Sequence, residues 1–204
     1  ETILRMQPDL LLAWESGNPA ALVTRLEQLG LTVYRAEPAT LALIASTLVR
    51  IGKLTGNEKT ANRLAGQFLE ETKSIRNTFH RKKLIRVFYQ VWHNPLITLN
   101  GDHLVSRLLE DCGARNVFAN LPDIAPTVSR ESVISRNPAA IIAGDGTGGS
   151  HQALDHWANW DQVDAVANGR LYIVNSDHLH RHSPRILKGM RELCRIIDRA
   201  RESG

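Results

Sequence analysis

EKTANRLAGQFLEETKSIRNTFHR, residues Glu58 to Arg81, decides how the remainder of the chain can be arranged. The stretch has no proline and only one glycine. Ala61, Leu64, Ala65, Phe68, Leu69, Thr72, Ile75 and Phe79 recur at spacings of three and four, while Glu58, Lys59, Arg63, Glu70, Glu71, Lys73 and Arg76 take the other sides. That period predicts one long amphipathic helix. At about 1.5 Å per residue it spans roughly 36 Å, the width of a small domain. It reads either as a strut joining two compact bodies or as a surface helix of a single one. Asn57 is placed to cap it after the break at Gly56, and Arg81, Lys82 and Lys83 suit the negative end of its dipole.

Working outward, both flanks alternate strands with helices. Before the helix, Pro8–Trp14 (PDLLLAW) reads as a buried parallel strand stopped by Ser16, Gly17 and Asn18. Pro19–Leu29 reads as a helix closed by Gly30, Thr32–Tyr34 as a strand, and Thr40–Ile51 as a helix. After it, Leu84–Trp92 is the strongest strand, ended by His93, Asn94 and Pro95 with Trp92, Leu96 and Ile97 at its carboxyl end. Then come a helix over Asp102–Cys112 closed by Gly113, a short strand at Val117 and Phe118, and a loop over Leu121–Val128. A helix capped by Ser129, a strand over Ala139–Ala143, a helix over His151–Trp160 and a strand over Gly169–Val174 follow. The last helix opens with Ser183 at the cap and Pro184 in first position. The expected class is α/β: a lobe at 1–57, the connecting helix at 58–81 and a second lobe at 82–204.

Length and charge narrow the function. The 204 residues suffice for one large domain or two small lobes, and no run approaches the roughly 20 apolar residues that cross a bilayer. The net charge of +4 is spread thinly, without zinc-finger spacing or an aromatic-interleaved basic face, so nucleic acid is not an expected partner. The first residue is Glu1 rather than Met, and no export signal is present, so processing or truncation is expected upstream. Cys112 and Cys194 form no C-x-x-C pair; they are two core thiols or, in an exported chain, a bridge closing a loop of roughly 80 residues.

Catalysis finds little support. The densest polar cluster is Asp177, His178, His180, Arg181 and His182, which reads as a solvated turn or, less simply, as a metal site serving a hydrolase. Asp177 and Arg181 form either a local ion pair or a polar clamp on a ligand. Gly144–Ser150 (GDGTGGS) lacks the lysine and spacing of a phosphate loop, and no G-x-S-x-G elbow exists. Trp14 stands at a strand's carboxyl end, where ligands of such sheets sit, either packed on its own loop or forming a flat wall. Glu131, in the first turn of its helix, is where the dipole favours a carboxylate.

Several stretches together resemble one family: PDLLLAW with Gly17 and Asn18, FYQVWHNPLITLNGDHL, EDCGARNVF, APTVSRESVISRNPAAIIA, VDAVANGRLYIVNSD and RHSPRIL. They are similar to the periplasmic cobalamin-binding proteins of vitamin B12 ABC importers, within the wider iron-siderophore and B12 binding-protein family. The resemblance runs from about Met6 to Ile197. It implies two Rossmann-like α/β lobes joined by one rigid helix, with cobalamin clasped between them as cargo rather than as a cofactor. It implies a non-enzymatic periplasmic monomer that delivers its ligand to an inner-membrane permease dimer, with haem or a ferric siderophore as the alternative ligand. By position, the implied ligand contacts are Trp14, Ile97, Ala125, Asp177 and Arg181, and Trp92 is expected to compensate for the less aromatic wall. Ile97 and Ala125 stand where the pattern has aromatic residues. Cys112 and Cys194 match a bridged pair, and Glu131 matches an acidic knob that docks to the permease. The corresponding knob of the first lobe falls near Ala20 and Ala21, with Glu15 or Glu27 nearby. The first lobe is expected to lack the family's opening strand-helix unit.

Overall fold

Hydrophobic strands too short to fold alone are paired in parallel across helices, and the computed structural model describes this arrangement for residues 1–15, 17–146 and 152–202. A short helix α1 (Thr2–Arg5) precedes β1 (Leu11–Trp14), α2 (Ala20–Gln28), β2 (Val33–Ala36) and α3 (Leu41–Leu54). β1 and β2 pair in parallel, with Leu11 opposite Val33 and Trp14 opposite Ala36. Gly30 ends α2 in the left-handed region at φ +85°, which a side chain would resist. Thr40 caps α3 by accepting from the Leu43 N–H.

The deciding stretch is one unbroken helix, α4 (Glu58–Phe79), two residues shorter at its end than the period suggested. Asn57 precedes it but its side chain does not cap; Nδ2 instead donates to the Thr55 carbonyl at 2.9 Å. α3 and α4 form an antiparallel pair that closes tightly at Gly52, where a Cβ would lie 2.1 Å from that of Ala61. Ala61, Ala65, Phe68 and Ile75 are buried, whereas Leu64 and Leu69 of the same expected face are exposed. Ala65, Phe68 and Ile75, with Ile44 and Ala45 of α3, belong to the same apolar core as the second lobe. Arg76 Nε meets Asp111 Oδ1 at 2.6 Å, and Glu71 pairs with Arg191. The helix is therefore moored along the second lobe rather than standing free between bodies.

The second lobe holds a four-stranded parallel sheet in the order β6-β3-β7-β8. Its strands are β3 (Ile85–Gln90), β6 (Ala114–Asn116), β7 (Ala140–Gly144) and β8 (Leu171–Val174). Two further strands, β4 (Trp92–His93) and β5 (Leu96–Ile97), make an antiparallel hairpin around the cis Asn94–Pro95 bond. Alternation divides the core: Val87, Tyr89 and Ile142 face the side of α4 and α10, while Phe88, Ile141 and Ala143 face Phe118 and Trp157. Helices α5 (Leu104–Asp111), α6 (Arg130–Arg136), α7 (Gln152–Asp155), α8 (Asp164–Ala167), α9 (Ser176–Leu179) and α10 (Ile186–Glu202) complete the chain.

Four sequence expectations shift here. The strand expected to reach Trp92 stops at Gln90, because Val91 turns to donate to the Ile97 carbonyl and opens the hairpin. The strand expected at Val117 and Phe118 is Ala114–Asn116; Asn116 ends it by donating through Nδ2 to Leu99 O and Thr98 Oγ1. The helix expected from His151 to Trp160 is only Gln152–Asp155, with His151 itself outside the described residues. Trp157 is instead buried, its Nε1 donating to Gln90 Oε1. The last helix begins at Ile186, after a tighter turn in which Ile186 N donates to Ser183 O. The loop Gly144–Ser150 is described only as far as Gly146.

Cys112, just past α5, is bridged to Cys194 of α10, with Cα atoms 4.7 Å apart and both side chains fully buried. The bridge spans 82 residues of chain. Replacing both cysteines by alanine is expected to cost about 2–4 kcal/mol of unfolding free energy. Urea titration of the double variant beside the oxidised parent checks this.

Candidate functional site

The carboxyl ends of β1 and β2 open onto a cavity whose other wall comes from the turn between α9 and α10. Trp14, Ala36, Pro38 and Thr47 line it from before α4, and Arg181, His182 and Ser183 from the second lobe; its volume is about 310 Å³. Trp14 is fixed by its own loop and by the end of β2: its backbone N–H donates to Asn18 Oδ1 at 2.7 Å and its Nε1 to Glu37 Oε1 at 3.3 Å. Gly17 permits this, since a Cβ there would lie 2.0 Å from the indole. Trp14 as a whole stays 45 % exposed, held in place but not covered. A larger cavity, about 590 Å³, lies among α3, α4 and α5 around the Arg76–Asp111 pair. It is away from strand ends, so the smaller crevice is the better placed for a ligand.

Three histidines lie near one another here, of which His182 lines the crevice. His182 lies with its ring 6.0 Å from that of Trp14, inclined at 58°, and 6.0 Å from that of His103. His103 Nδ1 accepts from the Val105 N–H at 3.1 Å and so caps α5 in neutral form. His180 Nε2 is 2.9 Å from the hydroxyl of Tyr89, a ring wholly inside the core. Burial lowers the pKa of all three; for His103 it does so most, to about 4, with His182 and His180 adding charge repulsion. Glu37 opposes the shift at His182, and Asp145 at His180.

The expected contacts are divided. Trp14 and Arg181 share the crevice. Asp177 and Arg181 bond to each other at 2.9 Å, both two-thirds exposed, so the local pair left open by the sequence exists. Trp92 and Ile97 are cross-strand partners in the hairpin, and neither they nor Ala125, exposed in the following loop, line the crevice among the described residues. Trp92 Nε1 donates to Asn94 O, and its ring lies 5.4 Å from that of His93. Glu131 is exposed in the first turn of α6, its carboxyl held below the usual range by its own backbone N–H and by Ser129. Glu15 and Glu27 both pair with Arg35. Among the described residues no group of three or more His, Cys, Asp or Glu is placed to hold a metal ion. His180 is engaged with the core instead. The residue the sequence did not single out is His103, an isolated histidine with no local signal.

Because the folded state resists protonating His103, its contribution is complete above the ordinary value of 6.5 and is lost as pH falls toward about 4, and the lowered His180 and His182 act in the same direction. Thermal melts are expected to decline over that window. His103→Asn, which keeps a capping acceptor without a titrating ring, should flatten part of the slope.

The sequence pattern of the family described as periplasmic binding protein matches residues 1–178. The vitamin B12-binding protein of Vibrio parahaemolyticus is 32 % identical over 197 residues, covering 95 % of this chain and 70 % of its own length. The crystal structure of the periplasmic vitamin B12 binding protein BtuF of Vibrio cholerae is similar with a TM-score of 0.87 at 31 % identity, covering 98 % of this chain and 78 % of that one. The periplasmic heme-binding protein BhuT, solved with two hemes, has a TM-score of 0.85 at 18 % identity and covers 97 % of this chain and 78 % of that one, a likeness of fold alone. The fold described above is the one that these two solved structures share with this chain. The chain belongs to the periplasmic binding protein family.

Proposed function

We propose that this chain is a non-enzymatic carrier that holds a corrinoid, cobalamin in the first instance, between lobes 1–57 and 82–204 and hands it to an ABC importer. The observation that carries the reading is the exposed Trp14 face opposite Arg181 and His182 across the crevice. A flat macrocycle laid on the indole gains apolar burial, while its amide fringe meets the guanidinium and carboxylate of Arg181 and Asp177. The 310 Å³ crevice is too small to engulf such a guest, so it grips one face or edge. Trp92, Ile97 and Ala125 would extend the second wall. The unbroken α4 at 58–79 favours a small rocking closure over a wide hinge, since bending it would break helical hydrogen bonds.

The buried Cys112–Cys194 bridge suits an oxidising compartment such as the periplasm. Glu131, exposed and firmly ionised, is the residue proposed to meet basic side chains of the permease. Similarity to vitamin B12-binding proteins supports cobalamin over the haem alternative. The imidazoles around His182 are the feature that keeps haem in view.

Calorimetry with cyanocobalamin on the whole chain tests the reading. Saturable one-to-one binding is expected, and Trp14→Ala should weaken it about 10- to 30-fold, the range of an aromatic anchor. Unchanged affinity in a folded variant rejects the wall. Glu131→Arg should leave cobalamin binding intact and reduce stimulation of the importer's ATPase in proteoliposomes.

A further inference from the structure

Two arginines stand side by side near the amino ends of the second sheet's strands, the end away from the crevice. Arg86 is the second residue of β3 and Arg115 the middle residue of β6, and they are register partners in the parallel ladder. Register partners send their side chains to the same face of a sheet, on strands about 4.8 Å apart. Like charges so placed repel and weaken the strand pair, so an uncompensated arginine pair calls for a reason. Nothing compensates this one: both residues are exposed, and neither has a hydrogen bond or an ion pair among the described residues.

The surroundings add positive charge rather than remove it. The pair lines a groove of about 410 Å³ that has no acidic residue in its lining. Arg136 of α6 donates through Nε to the Val117 carbonyl at 3.1 Å and stacks on the Phe118 ring at 4.4 Å, which fixes a third guanidinium beside the groove. The Asn120 side chain also lines it, exposed and without a partner among the described residues. Leu84, Val117 and Ala119 give it an apolar side. Arg86 springs from a fixed point, because β6 pairs on one side of it and the Ala139 N–H donates to its carbonyl at 2.8 Å on the other.

A guanidinium fork matches phosphoryl oxygens two at a time. Near neutral pH a phosphate monoester carries about 1.5 to 2 negative charges and several strong acceptor oxygens. One such group set between Arg86 and Arg115 would turn their repulsion into a pair of charge-assisted contacts. The groove has room beyond the phosphoryl group for a short organic tail on its apolar side.

We propose that this groove is a binding site for a phosphate monoester, clamped by Arg86 and Arg115 with Asn120 as a further donor. It lies outside the interlobe crevice and does not rest on the corrinoid reading. The ester can be a free molecule or the headgroup of a lipid, since the chemistry recognised is the same.

The probes are glycerol 3-phosphate and phosphatidylcholine vesicles containing phosphatidic acid, used with the whole chain at constant ionic strength. In a ¹H–¹⁵N NMR titration glycerol 3-phosphate is expected to saturate one site, moving the amides of Arg86, Arg115, Val117 and Asn120. It should also raise the melting temperature above that in matched sodium chloride. Arg86→Gln and Arg115→Gln should each weaken binding about 10-fold, the worth of a hydrogen bond to a charged group. Arg115→Lys, which keeps the charge but loses the fork, should fall between them and the parent. Without ligand the glutamine variants should melt no lower than the parent, since each removes a repulsion; a lower melting temperature in both reveals a structural pairing and overturns the proposal. Saturation by the free ester assigns a soluble ligand, and co-sedimentation with the phosphatidic acid vesicles alone assigns a headgroup; either carries the site. Shifts that never saturate, that spread over basic residues elsewhere, or that persist when both arginines are glutamine overturn it. Equal binding of succinate, or of vesicles with phosphatidylglycerol in place of phosphatidic acid, overturns it as well.

Discussion

Everything in this structure depends on the burial of one face of α4 against the second lobe. Ala65, Phe68 and Ile75 pass into a core that also holds Val87, Tyr89 and Met190, and ion pairs to Asp111 and Arg191 fix the helix along its length. Most of a helix's stability in a protein comes from packing its amphipathic face, so tertiary burial rather than propensity holds α4 in place. α3 is carried on it through the close approach of Gly52 to Ala61, and the β1–β2 pair leads directly into α3 along the chain. The position of Trp14 opposite His182 is the far end of that chain of contacts.

Much of this architecture was legible in the residues because local chemistry and tertiary demand agreed. Ser129 caps its helix as its position suggested, Gly113 and Gly30 end theirs with positive φ, and α4 follows its period almost to the last turn. The reading failed where a partner strand decided. Ala114–Asn116 contains an arginine and an asparagine and no β-branched residue, and it is a strand only because β3 offers it a ladder. Apolar Val91 and Trp92 made the hairpin look like a continuation of β3, although His93, Asn94 and Pro95 already spelled a turn. Leu64 and Leu69 fit the helical period yet face outward, since a period gives the direction of a stripe and not its width.

The site divides in the same way. Trp14 was visible as the last residue of a strand, and Arg181 as a charge following another. That these two meet follows from the whole path of α3 and α4 and from no local signal. His103 was invisible for the same reason: its sequence neighbours say only that a helix begins, and its closeness to His182 arises from sites 79 positions apart along the chain. Trp92 and Ile97, matched by pattern, turn out to be cross-strand partners in a hairpin that the apolar run did not separate from β3.

The thinness of the first sheet has its own consequence. Val23 is the only fully buried residue before Pro38 in the described structure, while Leu12 and Trp14 present their sides to the crevice mouth. A guest seated there would supply apolar partners that β1 and β2 do not find in their own chain. Occupancy and local order would then be one equilibrium: the cargo doubles as mortar, and the unladen strand pair would breathe more freely than the sheet behind it.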